Sequence, residues 1–263
     1  MKTLSLAYLY AVVAFFSVLS ARTANAHDTW VETASLTVRQ NEWLYVDLRL
    51  GNHGNEHRDF KLASKITLAP CTLTLISPDG KQVDLKPNLK DLGNAEKEGY
   101  WSARVVAEQT GLYQVWHTLD TLHGKVRAVK SSKTFFVSRD NGPASFDAAS
   151  QHTIGSGLEF MLETPINQLA AGKPISLTVL WKGKPAPNVR VAFVPRGETL
   201  SPGEDKTYER VSDQNGRVEF TPREGNLVLA VAHYVAEDEK SEKYEKTHYG
   251  ATLVLPVPQN GLK

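Results

Sequence analysis

Trp43-Leu44-Tyr45-Val46-Asp47-Leu48-Arg49-Leu50 alternates apolar and polar side chains. Successive side chains of a β-strand point to opposite faces, so the leucines and Val46 share one face. Leu73 and Leu75 repeat the pattern, and Ser77-Pro78-Asp79-Gly80 closes it with residues that favour a turn. Working outward, further strands are expected at 100–106, 111–119 and 133–137. No stretch after residue 27 carries a capped apolar stripe of period 3.6, so helix is expected to be minor.

The stretch 138–150 changes character. Arg139-Asp140-Asn141-Gly142-Pro143 is polar and turn-prone, which reads as a linker. A second set of strands is expected at 158–163, 175–180, 190–194, 217–220, 226–233 and 251–255, with turns at Lys182-Gly183-Lys184-Pro185 and Asp213-Gln214-Asn215-Gly216. Short strands at this spacing predict an all-β protein of two β-sandwiches in series, immunoglobulin-like or prealbumin-like. The expected boundaries are a leader at 1–26, an N-terminal sandwich at 27–138, a linker at 139–151 and a C-terminal sandwich at 152–263. Gly111–His117 and Gly225–His233 form a short internal echo, each a glycine-led strand ending in histidine.

Lys2, the uncharged apolar run 4–19 and Ala24-Asn25-Ala26 have the form of a cleavable signal peptide. The apolar run is short for a membrane span, which needs ~20 residues. The expectation is a periplasmic or secreted protein that begins at His27 and is not inserted in the membrane after cleavage. Cleavage takes Lys2 and Arg22 and no acid, so 30 basic and 29 acidic residues become 28 and 29. A balance so near neutrality argues against nucleic acid or an anionic membrane surface as partner. Cys71 is the single cysteine, which excludes an internal disulfide, and it is expected to be a small buried hydrophobe.

Chemistry concentrates on the eight histidines. Once N-terminal, His27 offers two nitrogens from one residue, an α-amine with a pKa of ~7.7–8.0 and an imidazole. Together they can chelate a metal, and one further imidazole gives the T-shaped brace that suits copper(II) or nickel(II). His53 and His57 lie in Gly51-Asn52-His53-Gly54-Asn55-Glu56-His57, read as a flexible polar loop after a strong strand. His117 shares a strand face with Tyr113, Val115 and Leu119, the setting of a hydrogen-bonded core histidine, and His233 stands likewise beside Leu227, Leu229 and Val231. His123 is expected to be exposed, His152 falls in the interdomain segment and His248 precedes the last strand.

Other constellations are lacking. No Gly-x-Ser-x-Gly elbow, phosphate-cradling glycine loop or His-Glu-x-x-His helix occurs. The five tryptophans are expected mainly in cores rather than on a carbohydrate-stacking platform. The charged stretch 237–246 reads as a solvated loop or short exposed helix.

Several of these motifs, in this order, resemble the bacterial proteins grouped as domain of unknown function 4198. They are Ala26-His27-Asp28-Thr29-Trp30, Leu48-Arg49-Leu50-Gly51-Asn52-His53, Gly111-Leu112-Tyr113 and Leu158-Glu159-Phe160. Gly183-Lys184-Pro185, Asp213-Gln214-Asn215-Gly216-Arg217, Ala232-His233-Tyr234 and Tyr249-Gly250-Ala251-Thr252-Leu253 continue the series. The resemblance spans nearly the whole chain after residue 26. It implies export, two sandwich-like domains and transition-metal binding, because the family is similar to periplasmic components associated with nickel and cobalt uptake. His27, His53 and His233 match its histidine positions, whereas His117 rests on the strand pattern alone. Gly54 follows His53 where the uptake group has proline, a departure that weighs against nickel uptake more than against metal binding.

The expected function is therefore non-enzymatic binding or delivery of a nickel, cobalt or copper ion, with a membrane metal transporter as partner. His27 is the leading ligand, His53 the preferred second, and His117 and His233 stand behind them. The alternative is a structural or interaction module that holds a protein or glycan without metal. An oxidative copper enzyme is a third expectation, supported by the brace-like start alone.

Overall fold

The computed structural model describes residues 27–53, 58–140 and 152–261, without the side chains of 52, 53, 58 and 59. The expected leader, His57 and linker residues 141–151 lie outside the described residues. The described chain is all-β, with two single-turn 3-10 segments and no α-helix. No described helix is long and apolar enough to cross a membrane.

Three sheets make up the fold. The first carries β1 (Asp28–Thr33), β3 (Trp43–His53), β8 (Trp101–Val106) and β7 (Lys90–Asp91) in that order, with β4 (Arg58–Leu62) also paired to β3. The central sheet has nine strands. Its path runs β15 (Glu209–Val211), β14 (Arg190–Pro195), β17 (Asn226–Ala236), β18 (Lys246–Val257), β10 (Val126–Arg139), β9 (Gly111–His123), β5 (Cys71–Ile76) and β6 (Gln82–Asp84). The ninth strand, β2 (Thr37–Arg39), pairs with the end of β10. The third sheet joins β11 (Leu158–Leu162), β12 (Ile175–Trp181), β13 (Lys184–Pro185) and β16 (Arg217–Phe220).

The halves meet within the central sheet, where β10 and β18 pair in parallel from Val126↔Lys246 to Thr134↔Val254. The first sheet covers one face of this sheet, enclosing Leu48, Leu73, Val115 and Phe136 among others. The third sheet covers the opposite face, where Phe160, Leu177 and Phe193 pack with Leu112, Phe135 and Val137 from the first half of the chain. A third cluster crosses between halves, with Trp30 and Phe60 against Val194, Leu229 and Val254.

All the strands expected from alternation are present. Several differ in extent: β9 runs on to His123, β17 to Ala236, and β18 starts at Lys246, so His248 lies within the last strand rather than before it. β10 begins at Val126 rather than residue 133, because Lys130, Ser131 and Ser132 interrupt the apolar pattern yet are buried. β3 runs through Gly51 to His53, so the start of the expected loop is strand, with a register irregularity between Gly51 and His53. Gly51 is glycine for packing: a Cβ there would fall inside the Trp30 indole. Cys71 is buried and unpaired, and burial pushes its thiol up to about 11. Trp43 departs from the core expectation. It lies 54% exposed on the outward face of β3 beside Tyr45. Alternation itself puts it there, opposite Leu44, Val46 and Leu48.

Candidate functional site

The site is built around β1, whose six residues are all buried although four of them, Asp28, Thr29, Glu32 and Thr33, are polar or charged. β1 is the edge of the first sheet, and an edge strand carries a row of backbone groups without ladder partners. Hydroxyls on the face of the central sheet meet them. Ser132 Oγ accepts from the Val31 N–H at 2.9 Å, and Thr252 Oγ1 donates to the Thr29 carbonyl at 2.8 Å. Ser132 and Thr252 are direct neighbours across the parallel seam.

At the head of β1 the Asp28 carboxylate is buried and shared. His233 Nε2 donates to it, 2.9 Å from Oδ1 and 3.1 Å from Oδ2, and the Lys130 ammonium stands 3.3 Å from Oδ1. Two opposing residues of this cluster come from β10 and β17, and both stand across from Gly250 of β18. A Cβ on Gly250 would sit 2.7 Å from Lys130 Cδ and Nζ and 3.3 Å from Asp28 Oδ1. The missing side chain is the space through which Lys130 reaches Asp28.

At the other end of β1, Glu32 accepts from Trp30 Nε1 at 2.9 Å and pairs with Arg49 Nε at 3.1 Å and with Arg196. The Arg196 guanidinium also lies over the Phe60 ring, 4.4 Å from its centroid. Each carboxylate of β1 thus binds a cation from the second half of the chain or from the seam. Buried charges of this kind persist only when paired and hydrogen-bonded.

The sequence candidates separate in space. His27 is exposed and immediately precedes β1. His233 is 40% exposed at the side chain rather than a core histidine, since its strand leaves the buried run there and turns it to Asp28. The backbone register Asp28↔Gly51 brings the β3 end that carries His53 alongside His27; the His53 side chain is outside the described set. His117 is wholly buried, with Nδ1 donating to the Thr72 carbonyl at 2.9 Å and Nε2 3.1 Å from Thr29 Oγ1. Burial lowers its pKa to about 4, so it is a neutral imidazole committed on both nitrogens. A metal at His117 would have to displace both bonds. His123 is exposed, and the exposed His152 meets the Trp116 ring edge-on.

Asp28 and Gly250 lie within stretches quoted for the resemblance, but neither they nor Lys130 stood out as site residues in the sequence. His248 also belongs to this neighbourhood. It stands opposite Ala128 of β10 and Val235 of β17, two residues along β18 from Gly250. Burial, then the Lys246 and Lys130 ammonium groups, push its imidazole below the ordinary range. Among the described residues no three of His, Cys, Asp and Glu are gathered in metal-binding geometry. In the uncleaved chain the His27 nitrogen is an amide, whose lone pair is delocalised into the carbonyl and is not available to a metal.

Elsewhere the third sheet leaves a cleft of about 710 Å³ lined by Tyr208, Arg210, Phe220 and Arg223 among others. The charged stretch 237–246 is a turn between β17 and β18 leading into β18, in which Glu239 binds Lys182 and the Tyr249 hydroxyl.

Solved structures resemble the chain weakly. A DUF4785 family protein from Legionella pneumophila is 15% identical with a TM-score of 0.29, over 77% of this chain and 50% of its own. The chain therefore spans half the length of that relative. The D0–D1 domain of intimin is 11% identical with a TM-score of 0.22, covering 87% of this chain and 97% of its own. A Salmonella alpha-2-macroglobulin variant is 15% identical with a TM-score of 0.28, covering 96% and 16%. No curated protein matches the chain. The family model described as "Domain of unknown function (DUF4198)" matches residues 24–236, well over half of the sequence, and the chain belongs to that family.

Proposed function

We propose that the exported, processed protein binds a transition-metal ion at the head of β1 and carries it without catalysing a reaction. His27 supplies amine and imidazole, and His233 and His53 are the further imidazoles. One observation carries this assignment: the buried Asp28 carboxylate grips His233 Nε2 one residue from His27. Metal-binding histidines characteristically donate their second ring nitrogen to a carboxylate, which fixes ring orientation and tautomer. With Nε2 on Asp28, His233 would coordinate through Nδ1. Nitrogen donors of this type suit copper(II) and nickel(II), and cobalt is the third candidate. Cleavage after Ala26 creates the amine, so the chelate belongs to the processed protein alone. The periplasm as location and a membrane transporter as recipient follow from the same proposal.

Calorimetric titration with copper(II) and nickel(II) tests it on protein beginning at His27, beside a sample with one added N-terminal residue. One-to-one binding that the extension abolishes is the expected result. Binding that survives the extension would move the site to other histidines.

A second role has its own observation. Trp43 and Tyr45 stand about half exposed on the outer face of the first sheet, with Arg104 and Val106 opposite them in the ladder. That face would serve a protein or glycan partner. Its loss in Trp43→Ala, with metal binding unchanged, would separate the two roles.

A further inference from the structure

We infer that the outer face of the first sheet binds an acidic polysaccharide, an inference that rests on the second role proposed above for that face and names its ligand. Trp43, Tyr45 and Asp47 alternate outward along β3, and Val106, Arg104 and Ser102 lie opposite them on β8. Lys90 of β7 pairs with Ser102 and so shares this face with Arg104, two residues along β8. At ~3.3 Å per residue, the row from Trp43 to Asp47 is about 13 Å long.

The polar groups here are uncommitted. Trp30, Trp101 and Trp116 each donate Nε1 to a partner within the protein. Trp43 Nε1 and the Tyr45 hydroxyl have no such partner among the described residues. Arg104 is exposed, stands 6.0 Å from the centroid of the Trp43 ring and, among the described residues, forms no ion pair. The exposed Lys90 forms none either. The carboxylate in these rows, Asp47, is already held by Arg49 at 2.7 Å and by the Ser102 hydroxyl at 2.6 Å. Aromatic rings therefore stand beside positive charge that the protein does not neutralise.

Ring geometry and area select the ligand. Trp43 and Tyr45 meet edge to face, with centroids 5.2 Å apart and planes at 74°, so neither ring covers the other. The C–H face of a pyranose stacks on such rings, and its carboxylate matches a guanidinium or an ammonium. Trp43, Tyr45 and Val106 together expose roughly 300 Å². Each partner of a standard protein interface contributes ~800 Å². A narrow chain of sugar rings fits the area, whereas a protein partner needs more apolar surface than the face offers.

The test uses protein beginning at His27, as wild type, Trp43→Ala, Tyr45→Ala and the double variant Lys90→Gln with Arg104→Gln. Each is titrated by calorimetry with polygalacturonate, neutral dextran and polyglutamate. Wild type should bind polygalacturonate and bind the other two polymers at least about tenfold more weakly. Trp43→Ala and Tyr45→Ala should each weaken polygalacturonate binding about tenfold. The double variant should weaken it and flatten its salt dependence, since attraction between exposed charges is screened by ions. Melting temperatures should match wild type, because all four side chains are exposed. Equal binding of polyglutamate would reduce the effect to charge and overturn the inference. Equal binding of dextran would overturn the acidic class and leave a neutral glycan for the face. Wild-type affinity in both ring variants would put the polymer elsewhere and overturn it as well. No binding of any polymer by wild type would overturn the inference and leave a protein as the partner. Lowered melting temperatures in every weakened variant would make the loss structural and overturn it too.

Discussion

Between Thr72 and Thr29 the His117 ring sits out of water, and its pKa falls from 6.5 to about 4 through burial. The unfolded chain therefore takes up a proton below pH 6.5 that the folded chain refuses until about pH 4. Stability is full above that window and is lost as pH falls through it, by about 3 kcal/mol in total. Urea unfolding at pH 7 and pH 4.5 should show the loss, and His117→Gln should flatten it. His248 is shifted in the same direction and adds to the same slope. Gly250→Ala presents a different residue-scale effect, because the new methyl group meets the buried end of Lys130. Displacing that ammonium breaks its pair with Asp28, a change worth about 3 kcal/mol for a buried ion pair. Chemical denaturation of Gly250→Ala measures it. Of this cluster, His27 and His233 were visible in the sequence. Asp28 and Lys130 were not, since lone charged residues so far apart in sequence have no spacing that distinguishes them from solvated charge.

Among the elements that alternation did not reveal, β1 is the one that builds the site. It reads Asp-Thr-Trp-Val-Glu-Thr and is buried on both faces, so its polar residues break the period-two signal while satisfying the sheet behind them. β3 was legible because one of its faces is wet, with Trp43 and Tyr45 outward and Leu44, Val46 and Leu48 inward. The register of β1 depends on hydroxyls from distant strands. Ser132→Ala would leave the buried Val31 N–H without its acceptor, at a cost of about 1–3 kcal/mol. Thermal unfolding of Ser132→Ala measures the cost. Hydrogen exchange at Val31 should rise in the same variant if the strand edge is held as described.

On the scale of the whole molecule, the parallel β10–β18 seam joins the halves, and the core against the third sheet borrows Phe135 and Val137 from β10. Local pattern shows that strands exist, but not which strand lies beside which when pairing partners are separated by more than a hundred residues. The expected boundaries at 27–138 and 152–263 describe the order of strands along the chain. The pairing predicts one cooperative unfolding transition, with coincident fluorescence and circular dichroism curves. It also predicts that a fragment of residues 152–261, deprived of β10, will lack a cooperative transition. Two separated transitions would contradict it. The proposed metal site depends on this same assembly, since β1, β17 and β18 reach it from opposite ends of the sequence. The most direct measurement is a crystal structure of the protein beginning at His27, loaded with copper(II) and recorded at the copper absorption edge. The account predicts one anomalous peak within ~2.0–2.3 Å of the His27 amine and imidazole nitrogens and of Nδ1 of His233. A peak bonded elsewhere, or none at the head of β1, would contradict it.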